Sequence, residues 1–118
     1  MNHLNSLLIE GTVVRGPIFG DTPKGSMECV FSIASVRYYK TEENLVKKVS
    51  TFDVLARGRL AENLDGVLKD GRGVRVVGRL TQDYHNTPKG AQQSCVTIIA
   101  EHIEMKPDLK TIDIEEEE

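Results

Sequence analysis

Arg75 and Arg79 stand four residues apart in the run Val74-Arg75-Val76-Val77-Gly78-Arg79-Leu80, whose alternation predicts a strand. The two arginines share one face of it, and Val74, Val76 and Leu80 share the other. Arg37 and Arg57 fall in two further strand-like runs, and Lys40, Lys47, Lys48 and Lys89 on the hairpins that join strands. Cations spaced in this way on open faces suit a polyanion, because they neutralise phosphate and release its counterions. Other chemistry finds little support. His3, His85 and His102 are far apart and show no ligand spacing, so neither a metal nor a cofactor is expected. No Ser–His–Asp or Cys–His constellation is suggested, and Gly71-Arg72-Gly73 reads as a helix-ending turn rather than a phosphate cradle. A binding protein is expected, not an enzyme.

The elements that must position these cations are mostly strands. Alternation predicts strands over Leu4–Val14, Glu28 to about Tyr39, about Val46–Ala56, Val74–Leu80 and Ser94–Glu104. Gly16-Pro17 ends the first, and turn clusters stand at Asp21–Gly25 and Asn86–Gly90. On the third strand Thr51, Asp53, Leu55 and Arg57 face one way, and Phe52, Val54 and Ala56 the other. Between the third and fourth strands Leu60, Leu64, Val67 and Leu68 form one stripe of a 3.6-residue period. A short helix is expected there, with Lys69 in its last turn and Gly71 as its left-handed terminator. Three strands, a helix and two strands is the order of the OB-fold, an all-β, five-stranded Greek-key barrel with one short helix between strands 3 and 4. Protruding hairpins at residues 38–48 and 84–92 would extend its binding face.

The chain of 118 residues suits one domain, expected over 1–106, followed by an acidic tail over 107–118. The formal net charge of −3 hides an uneven distribution. Residues 1–107 carry 14 Lys and Arg against 12 Asp and Glu, whereas residues 108–118 carry six acids and Lys110 alone. A weakly basic domain thus precedes a strongly acidic end. Cys29 and Cys95 lie in predicted strands without a metal-type partner and read as reduced core or near-core thiols. No apolar run approaches the ~20 residues of a membrane-spanning helix, and no signal peptide is visible. A cytoplasmic, nucleoid-associated protein without a membrane is expected.

At this resolution the chain resembles the bacterial single-stranded DNA-binding protein family over about residues 3–105. The resemblance rests on Asn5-Ser6-Leu7-Leu8-Ile9-Glu10-Gly11, on Pro17, Thr22 and Gly25, and on Phe31-Ser32-Ile33-Ala34. Its most specific part is Gly58-Arg59-Leu60-Ala61-Glu62, similar to the family's G-K-L-A-E at the start of its helix. Leu68-Lys69-Asp70-Gly71, Val74 and Gly78-Arg79-Leu80 match its L-K-K-G…V…G-R-L. The resemblance implies sequence-nonspecific binding of single-stranded DNA during replication, repair and recombination, by bases stacking on aromatic rings while cations track phosphate. It places Tyr39 at a stacking position at the end of strand 2, and Tyr84 or neighbouring His85 near another in the last hairpin. Tyr38 is expected on the face opposite Tyr39, in a supporting role. Two further aromatic positions hold Thr51 and Arg57, and there is no Trp. Arg57 can stack its guanidinium plane on a base, which Thr51 cannot.

The family also implies a homo-oligomer, a tetramer, with a dimer as the alternative. Its members usually end in an acidic tip that docks on replication and repair proteins. Here Ile112–Glu118 would serve, with its isoleucines before its acids and no terminal Phe. Two other readings of the barrel remain at this stage: an accessory primosomal-type protein acting mainly through protein contacts, and an OB interaction module with weak nucleic-acid binding.

Overall fold

A computed structural model of the chain describes residues 1–107. The alternating runs become five strands and one helix: β1 Leu7–Asp21, β2 Met27–Lys40, β3 Leu45–Arg57, α1 Arg59–Leu64, β4 Gly73–Asn86 and β5 Gln92–Met105. They close into a barrel in the order β1-β2-β3-β5-β4. Every neighbouring pair is antiparallel except β3 and β5, which run parallel over Asp53–Leu55 and Thr97–Ile99. The inward positions of the strands meet in one core, built on Val13, Cys29, Phe31, Ile33, Val54, Val74, Val76 and Ile98. Ala61 and Leu64 of α1 and the following Leu68 join it at the end where β3 finishes. Burial of these apolar faces, at roughly 25 cal/mol per Å2, drives closure.

Three expectations from the sequence are corrected. β1 does not end at Gly16-Pro17 but continues to Asp21, with register shifts between Val13 and Arg15 and between Arg15 and Ile18. These irregularities accommodate Pro17 and bend the strand, so that its first half pairs with β4 and its second half with β2. The helix is shorter than its apolar stripe: it stops at Leu64, and Gly66, at φ +80°, turns the chain out. Leu68 still reaches the core through a turn in which its N–H donates to the Leu64 carbonyl at 3.0 Å, while Val67 is left 47% exposed. Gly71 serves a different junction, donating its N–H to the Val13 carbonyl at 2.7 Å. Finally, β4 runs on past Leu80, which keeps its inward parity but lies beyond the core and is 46% exposed.

Where β4 crosses β5 the backbones come too close for any side chain. A Cβ on Gly78 would lie 2.2 Å from the Ile99 carbonyl oxygen, at the register shift between Val77 and Gly78. Beyond Leu7 the β1–β4 ladder is continued by a side chain. The Asn5 amide donates to the Leu80 carbonyl at 2.7 Å and accepts from the Leu80 N–H at 2.9 Å.

Candidate nucleic-acid interface

Because β3 and β5 are parallel and each is preceded by a hairpin turn, both hairpins leave the same end of the barrel, opposite α1. Each turn is held by a threonine. Thr41 Oγ1 donates to the Asn44 carbonyl at 3.1 Å and accepts the Asn44 N–H at 3.2 Å. Thr87 Oγ1 accepts the Ala91 N–H at 3.1 Å. These closures let the strand arms run out past the core as two-stranded ribbons.

The β2–β3 ribbon pairs without a shift from Glu28 opposite Arg57 to Lys40 opposite Leu45. Residues directly opposite share a face, so an unbroken register assigns every outward side chain. One face carries Arg57, Asp53, Thr51, Val36 with Val49, and Tyr38 with Lys47, ending at Lys40. The other carries Phe52 behind Arg37 with Lys48 and Tyr39 with Val46. Tyr38 does point away from Tyr39, but it is Tyr38 that shares the face of Arg57 and Thr51. Tyr38 is 60% and Tyr39 43% exposed. Parity from Arg57 back to Tyr38 through the turn would have revealed this, had the register been known.

On the second ribbon Tyr84 stands opposite Ser94 and is 60% exposed. It shares its face with Leu80 and Val96, the outward continuation of the barrel's inner surface. His85 faces the other way, its Nδ1 3.7 Å from Cys95 Sγ. Cys95 is exposed, which corrects the expectation of a core or near-core thiol, whereas Cys29 is buried and its pKa is pushed up to about 11, chiefly by burial. Lys89 lies in the turn itself.

The basic residues divide into two groups. Arg37, Lys40, Lys47, Lys48 and Lys89 make no ion pair among the described residues. Arg57 lies 3.3 Å from Glu28, and Arg79 4.0 Å from Glu101. Arg75 is drawn away from the hairpins, into a row across β1, β4 and β5. Its guanidinium donates to Glu10 at 2.6 and 2.9 Å and lies 3.6 Å from Glu104. The Arg75 hydrogen bond, aided by the charges of Lys106 and Arg75, holds the Glu10 carboxyl below the usual carboxylate range. Exposed ion pairs of this kind contribute little stability, but they do neutralise the arginine. The ribbon arms differ: from Ser35 to Lys40 and from Leu45 to Thr51 there are four cations and no carboxylate. Arg37 and Lys48 even stand directly opposite one another, a like-charge pairing that disfavours the free protein.

Among the described residues no group of three or more His, Cys, Asp or Glu is arranged to hold a metal ion, and no helix is long and apolar enough to cross a membrane. The Ile112–Glu118 tail lies outside the described residues.

Comparison with known proteins agrees with this architecture. The family model described as the single-strand binding protein family matches residues 4–106. A single-stranded DNA-binding protein of Aquifex aeolicus is 33% identical over 98% of this chain and 80% of its own length. One from Helicobacter hepaticus is 31% identical over 86% of this chain, which spans only 60% of that relative. Among solved structures, the Plasmodium falciparum SSB in complex with ssDNA has the same fold, with a TM-score of 0.84 over 91% of this chain and 98% of that one, at 19% identity. An OB barrel with two ribbons at one end, matched by the family model over nearly all its described length, identifies the chain as belonging to the single-strand binding protein family.

Proposed function

We propose that this chain binds single-stranded DNA without reading its sequence and shields strands exposed in replication, repair and recombination. The observation that carries the reading is the β2–β3 ribbon: two exposed tyrosines and four cations, no carboxylate on its arms, in a chain of this family. Bases stack on Tyr39 and Tyr84 while Arg37, Lys40, Lys47, Lys48 and Lys89 follow the phosphates, with His85 beside the second ribbon. Arg57 and Arg79 stay available because each has a single carboxylate partner, half-buried Glu28 and exposed Glu101, and is itself exposed to phosphate. Arg75, held by two carboxylates, contributes least. No covalent step is involved; the protein acts by binding.

The functional unit in this reading is a homo-oligomer, a tetramer with a dimer as the alternative. Residues Leu7–Gly11 of β1 pair with β4 alone among the described residues, leaving one edge of that segment open. A groove lined by Leu8, Ile9, Glu10, Ser35, Val36 and Arg75 lies alongside it. An open edge beside exposed apolar residues is a ready site for a second copy's strand. Replication and repair proteins are the expected partners of Ile112–Glu118, in the cytoplasm where chromosomal strands are exposed. The domain is taken as residues 1–106 and the tail as 107–118.

Fluorescence anisotropy of labelled dT, dC and mixed-sequence oligomers against a duplex of equal length tests the reading. Similar affinity for the single strands and much weaker binding to the duplex are expected. Equal binding to duplex, or none to any single strand at low salt, would leave an interaction module instead.

A further inference from the structure

The β2–β3 ribbon has two faces: the sequence resemblance assigns Tyr39 to one, and on the other its two aromatic positions hold Thr51 and Arg57, neither of them a ring. We propose that Tyr38 is a second base-stacking residue on this ribbon, so that a bound strand engages both faces; the inference rests on single-stranded DNA binding as proposed above. Register places Tyr38 on the face of Arg57, where Thr51 interrupts any other stacking surface. Tyr38 is the more exposed of the two neighbouring tyrosines, at 60%. Lys47 stands directly opposite it, and Lys40 lies two residues on along the same face. An exposed ring set between two cations without ion-pair partners among the described residues is the local pattern a stacked base and its flanking phosphates require.

Charge argues against the other occupant, a second copy of the chain. Val36 and Val49 beside Tyr38 are apolar enough to suit a subunit contact. A two-fold partner presenting the same patch would, however, bring Lys40 and Lys47 of both copies into one interface, with only Glu42 and Glu43 of the turn to compensate. A polyanion meets the same patch with the opposite sign.

The absence of tryptophan makes the test direct, since Tyr38→Trp introduces the only indole in the chain. Its emission is followed while labelled dT reports binding independently. Quenching that saturates with the bound label is expected. In the wild-type background, Tyr38→Ala should weaken dT binding by about 5- to 150-fold, the range for one stacked base. Tyr38→Phe should stay within about twofold, and the oligomer mass should be unchanged. Bound dT without indole quenching overturns the proposal, as does an affinity of Tyr38→Ala within twofold of wild type. A shift in oligomer mass for Tyr38→Ala would assign the face to contact between copies. Failure of wild type to bind dT at all would instead overturn the proposed function.

Discussion

Neutralising one member of the Arg37–Lys48 pair should move stability and DNA affinity in opposite directions. The two residues face each other across β2 and β3, both exposed and neither ion-paired among the described residues. Side chains so placed diverge from Cβ atoms ~5 Å apart. Two unit charges at that distance in water would repel by about 0.8 kcal/mol, and screening at 0.15 M salt lowers this to about 0.4 kcal/mol, a ceiling because the charged ends lie further apart than the Cβ atoms. Lys48→Gln should therefore stabilise the free protein by at most about 0.4 kcal/mol, a rise of up to about 2 °C in melting temperature at fixed protein concentration. The gain should shrink as salt is added. The same substitution removes one phosphate contact, which should make the slope of log K against log salt shallower by about 0.7. If the two proteins converge at 1 M, that corresponds to about eightfold weaker dT binding at 50 mM salt and about threefold at 200 mM. Thermal melts and anisotropy titrations across this range read both quantities. A variant that melts lower than wild type, or binds dT with an unchanged salt slope, would refute the like-charge account of this ribbon.

Gly78→Ala should cost about 3 kcal/mol, the upper part of the overpacking range, because the nearest atom to the new Cβ is backbone and cannot swing aside; a melting temperature lower by about 10 °C or more checks it. Glu10→Gln should destabilise the protein at pH 7, with the difference vanishing on acidification. Glu10 titrates lower in the folded chain than in the unfolded one, so its contribution is present above the usual carboxylate pKa and is lost as pH falls through the lowered folded value. Denaturant melts at pH 7, 5 and 3 measure that convergence. A thiol reagent at pH 8 should modify Cys95 alone in the native protein and both cysteines after denaturation, since Cys29 is buried and its pKa raised to about 11.

The barrel is largely legible in the amino-acid sequence. Alternation in Phe31-Ser32-Ile33-Ala34 and in Val74–Val77 marks core strands, and Gly58-Arg59-Leu60-Ala61-Glu62 marks the start of the helix. Element ends were less so. Leu68 follows the helical stripe because its side chain must reach the core, yet Gly66 had already ended the helix, and the periodicity of one face cannot distinguish a turn from a continued helix. β1 reads past Pro17 because a bulge removes the pairing that proline would break. At the interface, which residues are exposed was legible from the hairpins' composition. Which of them share a face was not, because that depends on a register set at the Thr41–Asn44 turn. Nor does strand parity show that Arg75 lies between Glu10 and Glu104, since those partners come from strands 65 residues before and 29 residues after it.

If unpaired ribbon cations hold a single strand by its phosphates, the affinity for dT must depend steeply on salt. With Arg37, Lys40, Lys47, Lys48 and Lys89 each meeting one phosphate, log K should fall against log salt with a slope of about −3.5, a loss of about 100-fold between 50 and 200 mM. A slope near zero, with dT still bound, would mean that these cations do not carry the binding.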